Sequence, residues 1–517
     1  LRIIDKLRAD KSLIIIIVLA LVKLLIHLYT NAFASYGIFR DEYYYLACAD
    51  RLGWGYVDQP PLSIYILHLS RIIFGDSLFA IRLIPAICGA LTVFMAGIIA
   101  RKLGGGKFAV LLAGIATIAA PILLAMDTIY SMNCIDILLW SIVVYVLILI
   151  INDNQPKHWI LLGLLIGLGL LNKISMAWLA FGIFVSFLIT NRRRVFLTIW
   201  PYVAGLIAVV IFSPYIFWNI AHDFAHLEFI RNATAEKYGG VTAMDFVAGQ
   251  LLLMTPVSVL VWLSGLYYLV LHKKGREYRV LGLSLLIVFL ILLINGHSKP
   301  EYLSPADPIA FAGGAVLIES ATSRKYLVWL KYVLPVLILI VGAAVAPFAI
   351  PVLPVDKFIE YSNTTGVTVE SNEGLELSEL PQFYADMFGW EGKARTVSEV
   401  YMSLPPEERE KTIVFARNYG QAGAIEYYND KYPEPPVYSQ HNSFWIWAER
   451  DIGKDIRTVI FIGGGRAEPG DFCEEYELAA VIQCQYCIPY ENDLPVYICR
   501  KLKYSLEQLH EMYKLYI

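Results

Sequence analysis

The sequence predicts a polytopic α-helical membrane protein with a soluble α/β domain at its C-terminal end. Three observations carry this. The 517 residues are 57% hydrophobic and only 17% charged, against about 25% charged in a soluble domain. Up to about Pro351, apolar stretches alternate with short polar loops, at the roughly 20-residue length a helix needs to cross hydrocarbon. Beyond Pro351 the chain turns charged, Tyr-rich and broken by Pro and Gly. The net charge of -3 is near neutral and gives no sign of a nucleic-acid partner.

The apolar pattern predicts about eleven spans, near 12–29, 79–100, 107–125, 135–151, 158–171, 174–190, 198–217, 248–271, 280–294, 304–320 and 327–350. The first, Ser12 to Tyr29, lacks a small-residue cleavage motif and is expected to stay as a helix. Basic residues set the orientation. Arg2, Lys6, Arg8 and Lys11 precede the first span, and Arg101, Lys102 and Lys107 follow the second. Further clusters are Arg192 to Arg194, then Lys273, Lys274, Arg276 and Arg279, then Arg324, Lys325 and Lys331. With an odd span count all fall on one face, which is cytoplasmic by the positive-inside rule. The N-terminus is then cytoplasmic, in the plasma membrane. Residues 1–351 form the membrane domain, with outer loops about 30–77, 219–247 and 295–304; residues 352–517 form an extracytoplasmic domain. Pro347, Pro351 and Pro354 mark the boundary, where a helix should stop.

Within the C-terminal domain, Thr412 to Ala416 and Thr458 to Ile462 read as buried strands, and Gln421 to Tyr428 as a helix. Gly463-Gly464-Gly465 lacks the spacing of a phosphate loop and reads as a turn. Cys473, Cys484, Cys487 and Cys499 suit disulfides in an outer compartment. Free thiols, or half a zinc site at Cys484 and Cys487, are the alternatives.

The chemistry-bearing residues collect at the outer face. The first loop opens with Arg40-Asp41-Glu42-Tyr43-Tyr44-Tyr45 and continues to Asp58-Gln59-Pro60-Pro61-Leu62. Adjacent carboxylates beside a membrane helix are costly and often functional. A partly desolvated carboxylate serves as general base toward a hydroxyl or amine; the plainer reading is an acidic turn in an aromatic belt.

These motifs resemble the GT-C glycosyltransferases of the protein O-mannosyltransferase and aminoarabinose-transferase group (glycosyltransferase family 39). Asn133 to Trp140 resembles the acidic motif that opens their fourth helix. Lys299-Pro300-Glu301-Tyr302-Leu303-Ser304-Pro305 resembles their Lys-x-Pro-Tyr-Tyr-x-x-Pro segment. The likeness spans roughly residues 12–350. It implies a GT-C fold and inverting transfer of a sugar from a polyprenyl-phosphate donor to a protein or lipid/glycan acceptor. Asp41 then becomes the general base, with Glu42 beside it. The leaving phosphate needs cationic or hydrogen-bonding partners, and Lys299, Tyr302 and Arg231 are the candidates on the correct face. Lys299 also suits a snorkelling interfacial lysine. Asp58, Gln59 and Asp136 are supporting cavity residues, Asp136 equally suiting a helix cap or an interhelical partner. Asp58 with His226 offers two ligands to a divalent cation. One departure matters: Asp58-Gln59 stands where the aminoarabinose transferases carry Glu-Lys. A transporter or flippase would instead show inverted repeats and midplane charges. A non-catalytic envelope-assembly protein would leave the Asp41-Glu42 and Pro-Pro-Leu pattern without a purpose.

Overall fold

The computed structural model describes residues 11–237, 239–367, 376–451, 455–464 and 468–517. Arg2, Lys6, Arg8 and Gly465 lie outside them. Among the described residues six helices are long and apolar enough to cross a membrane: Lys11–Phe33, Leu78–Lys102, Met132–Asp153, Trp200–Ala221, Lys273–Asn295 and Lys325–Phe348. Ala243–Met254 and Pro256–Val270 make a seventh if taken as one span bent by 110°. The expectation of about eleven exceeds this count because several apolar runs are interrupted. Pro121 divides Lys107–Ala119 from Pro121–Met126. Lys173 separates Pro156–Asn172 from Met176–Ile189. Residues 300–306 form a 3-10 turn before Asp307–Ala321. At Pro121, Pro300 and Pro305 the proline lacks the amide that helix continuation needs; the break at Lys173 contains no proline. The protein is an integral membrane protein, and its helical core is apolar, centred on residues such as Trp140, Leu147, Ile309 and Phe311.

Hydrogen bonds gather the loops at two ends of the bundle. At one end Arg192 donates to the Ile151 carbonyl at 3.1 Å. There Tyr268 and Tyr278 donate to the carbonyls of Leu103 and Lys102, and Glu319 caps the amides of Gly106, Phe108 and Ala109. At the other end lie both long loops and the C-terminal domain. Between the ends, Lys23 and Asp127 form a buried ion pair at 3.0 Å.

The 30–77 loop is largely helical, containing Arg40–Asp50 and Leu62–Phe74. The 219–247 loop contains Ala225–Glu236. Arg40–Asp50 starts with Glu42 reaching back to the Phe39 amide at 2.8 Å, half of a capping box.

The C-terminal domain holds a five-stranded mixed sheet, β1 (Thr412–Phe415), β2 (Val437–Tyr438), β3 (Thr458–Ile462), β4 (Cys473–Ile482) and β5 (Leu494–Leu502). The order is β2-β1-β3-β5-β4. β1 pairs parallel with β2 and β3, and β5 antiparallel with β3 and β4. The helix expected over Gln421 to Tyr428 spans Tyr419–Tyr427. It connects β1 to β2, as parallel strands require a crossover. One sheet face shares a continuous core with the membrane-proximal Arg40–Asp50 helix: Val414, Ile460 and Val496 with Trp390, Ala422, Tyr43 and Tyr44. Cys473 pairs with Cys499, and Cys484 with Cys487, the disulfide arrangement among the alternatives expected.

Candidate active site

Arg40–Asp50 lies between the membrane bundle and the C-terminal domain. Three of its side chains organise the region. Glu42 is fully buried. Its oxygens accept from Arg82 Nε and Nη2, the latter at 2.7 Å, and from the amides of Phe39 and Tyr130. A carboxylate saturated in this way is a structural staple, because every proton-accepting position is occupied. In this geometry Glu42 has no position left to take a proton.

Asp41, one residue earlier, points elsewhere. Its side chain is 38% exposed. Oδ1 accepts from Tyr419 Oη at 2.8 Å and Arg40 Nε at 3.2 Å; among the described residues Oδ2 has no hydrogen bond. Arg40 is held in turn by Asp386 at 3.5 Å and the Tyr490 hydroxyl at 3.0 Å.

Asp58 sits in the turn before Pro60. It accepts from the Tyr44 hydroxyl at 2.7 Å, and that hydroxyl also lies 2.7 Å from Ser443 Oγ. Burial pushes the Asp58 carboxyl up to about 6; the Tyr44 bond opposes this and the neighbouring Asp41 charge adds to it. Gln59 is fully buried, and neither atom of its amide has a partner among the described residues. His226 is buried with Nδ1 3.0 Å from the Val57 carbonyl, so the second loop is pinned to the first. Desolvation lowers its pKa to about 4, leaving a neutral ring with Nε2 as acceptor. Asp58 and His226 thus lie on one joint, but among the described residues no group of three or more His, Cys, Asp or Glu side chains is arranged to hold a metal ion. Two ligands do not make a divalent site, and the expected metal pairing lacks its remainder.

A second polar cluster adjoins the first. Met132 N donates to the Tyr45 hydroxyl and Asn172 to the Met132 carbonyl. Lys173 Nζ donates to Asn133 Oδ1 at 2.6 Å and stands 5.6 Å from the Tyr302 ring centroid. Asp136, fully buried, accepts from Ser175 at 2.6 Å. It is an interhelical partner beside this cluster. Lys299 Nζ lies 3.8 Å from Glu301, at the start of the turn that carries Tyr302. Asn133 and Tyr302 thus meet at Lys173, with Asp136 and Lys299 near it, and Lys173 was not among the site residues expected from the sequence. Its signal was a lone lysine interrupting a long apolar run. Arg231 does not join: it is exposed on Ala225–Glu236, whereas His226 is buried. Residues five apart on a helix point to different faces.

The fold defines an integral membrane helical bundle joined to an α/β domain at the end that carries these clusters. Aligned with the structure titled ArnT from Cupriavidus metallidurans bound to undecaprenyl phosphate, the chain gives a TM-score of 0.62 at 13% identity, covering 94% of this chain and 97% of that one. With the archaeal oligosaccharyltransferase AglB from Archaeoglobus fulgidus the TM-score is 0.52 at 12% identity, over 88% and 70% of the chains. At these identities the likeness is one of fold. Residues 58–218 match the family described as dolichyl-phosphate-mannose-protein mannosyltransferase. A Pseudomonas aeruginosa undecaprenyl phosphate-alpha-4-amino-4-deoxy-L-arabinose arabinosyl transferase is 26% identical over 288 residues, 52% of this chain and 51% of that protein. A Corynebacterium glutamicum polyprenol-phosphate-mannose–protein mannosyltransferase is 32% identical over 121 residues, 23% of each. The chain spans about half the length of the curated arabinosyl transferases it matches. Asp41 lies outside the matched family segment, and Asp58 is its first residue.

Proposed function

We propose that this protein is a glycosyltransferase that moves a sugar from a polyprenyl-phosphate donor to a protein or lipid/glycan acceptor at the outer membrane face, with inversion. The observation that carries the reading is Asp41: a part-exposed carboxylate with one oxygen anchored by Tyr419 and Arg40 and the other left to take a proton. As the acceptor oxygen or nitrogen attacks the anomeric carbon, Oδ2 removes its proton. The bond from that carbon to the phosphate oxygen breaks, and lipid phosphate leaves with the electron pair. Lys173, Lys299 and Tyr302 supply the positive charge and hydrogen bonding that developing anion requires. The unpartnered amide of Gln59 offers a buried donor and acceptor to the sugar or phosphate, a pairing favoured by the cost of leaving it unmade. Arg231, exposed on the second loop, is a candidate for contact with the lipid headgroup. The apolar segments make eleven traverses between the two ends of the bundle. The end bearing Arg101, Lys102, Arg192 and Lys274 is cytoplasmic, and the domain from about residue 352 is extracytoplasmic.

The test is transfer of radiolabelled sugar from a panel of polyprenyl-phosphate sugars to native membrane extract. Wild type transfers from at least one donor. Asp41→Asn loses transfer by about a hundredfold or more, the usual weight of a general base, while still binding donor. Equal transfer by both proteins removes Asp41 from the role, and no transfer from any donor overturns the reading.

A further inference from the structure

The hydroxyl closest to the proposed base comes from the other domain. Tyr419 and Asp41 are 378 positions apart in sequence, yet Tyr419 Oη donates to Asp41 Oδ1 at 2.8 Å. The tyrosine is held on every side. Its ring packs against Tyr44 at 4.9 Å and His441 at 4.5 Å between centroids. It opens the helix Tyr419–Tyr427, whose N-cap Asn418 accepts from the Gln421 amide at 2.9 Å and donates to the buried Glu491 at 2.7 Å. Glu491 also takes Gln421 at 2.9 Å and Lys393 at 3.4 Å. The start of this helix is therefore fixed to the core of the C-terminal domain, and it is fixed to the membrane-proximal helix as well. Gly423 lies so close to it that a Cβ there would stand 2.7 Å from the Tyr43 carbonyl oxygen. Arg51 completes the clamp with a bidentate bond to Glu426 at 2.7 and 2.9 Å.

We infer that Tyr419 is a positioning residue for Asp41, so that the C-terminal domain supplies part of the reaction site in addition to any role in recruiting acceptor. This rests on the reading of Asp41 as base. A carboxylate free to rotate about its χ angles presents its basic oxygen in many directions. Anchoring Oδ1 from two sides, by Arg40 on its own helix and by Tyr419 across the interface, leaves Oδ2 as the oriented acceptor. The other titratable groups around Asp41 are Asp58 and Tyr45, neither of which reaches it by a hydrogen bond among the described residues.

The full-length protein in lipid nanodiscs tests this with Tyr419→Phe, which keeps the ring stack and removes only the hydroxyl. The expected result is a fall in kcat of about tenfold, the loss of one hydrogen bond to a charged group. The donor KM and the unfolding midpoint stay at wild-type values. A second readout needs no turnover: modification of Asp41 by a water-soluble carbodiimide and an amine, followed by peptide mass spectrometry, becomes faster in Tyr419→Phe. Wild-type kcat with unchanged labelling overturns the inference. So does a slow variant with a lowered midpoint and raised KM, because the tyrosine would then serve only packing. Failure of the function reading looks different: Asp41→Asn would retain full transfer, and labelling alone would then decide whether Tyr419 orients the carboxylate.

Discussion

At the residue scale, the joint between the two long loops carries two groups shifted in opposite directions. Burial raises Asp58 from 3.8 to about 6. The folded state then binds more protons than the unfolded one between these values, so the stability from Asp58 is lost as pH rises through that window. Burial lowers His226 from 6.5 to about 4. Here the unfolded state binds more protons, so stability is gained as pH rises from about 4 to 6.5. The two slopes overlap between about 4 and 6 and oppose each other. Relative to wild type, Asp58→Asn should tilt the unfolding midpoint upward with pH across pH 4–6, and His226→Gln should tilt it downward. Thermal unfolding followed in detergent at several pH values checks this, and a shared sign in the two variants would refute it. The same scale shows what sequence could carry. Asp41, Asp58, Lys299 and Tyr302 stand out as polar groups beside membrane helices, where ionisable residues are expensive. The difference between Asp41 and Glu42 does not stand out: it depends on Arg82, 40 positions away, reaching one carboxylate and not its neighbour.

At the element scale, the part least visible in the sequence was the helix that carries the proposed base. Arg40–Asp50 has no clean apolar stripe, because it is buried on nearly all sides between two domains: residues 42–49 are all buried. Apolar periodicity reports a helix with one wet face, so a helix enclosed by aromatic and polar partners alike escapes it. The strand Thr458–Ile462, buried along its whole length, was legible as a short apolar run. The close approach of Tyr419–Tyr427 to this enclosed helix depends on glycine. Gly423→Leu places a side chain where the Tyr43 backbone now lies and is expected to cost about 1–3 kcal/mol of overpacking. The domain would be displaced by a fraction of an ångström to a few ångströms, and the Tyr419–Asp41 bond with it. Glycosyl transfer should drop in Gly423→Leu while donor binding at Lys173 and Lys299 persists. Wild-type transfer by this variant would argue that the interface has slack and that the domain does not hold the base. Deletion of residues 352–517 is a poorer experiment, because it would strip the cover from Tyr43 and Tyr44.

At the scale of the whole molecule, hydropathy conveyed the membrane class and the change to a soluble domain, but not how the shorter segments cross. Among the described residues six helices pass on length and composition; the eleven-traverse arrangement needs Lys107–Met126, the two helices flanking Lys173, the bent pair around Thr255 and Asp307–Ala321 to cross as well. Pairs of non-crossing segments would cancel, so the informative positions are those separated by one doubtful crossing. Single cysteines at Lys102, Gln155, Lys274 and Ser323, all exposed, sample the basic end in turn. Glu410, exposed in the C-terminal domain, samples the other side. In right-side-out vesicles a membrane-impermeant maleimide should label Glu410→Cys at once and the other four only after permeabilisation. If Lys107–Met126 stops short of the far side, Gln155→Cys becomes reactive from outside while Lys102→Cys stays protected. If the 110° bend at Thr255 is a re-entrant turn, the pattern inverts from there on: Lys274→Cys and Ser323→Cys become reactive from outside and Glu410→Cys becomes protected, because the helix would return to the face it left. A re-entrant pair at that point would also move the Lys299–Tyr302 turn to the cytoplasmic side, away from Asp41. The contacts of Tyr302 with Lys173 and of Gln250 with the Pro300 carbonyl at 2.9 Å hold that turn at the same end as the base. The labelling pattern and the proposed chemistry therefore stand or fall together at Lys274.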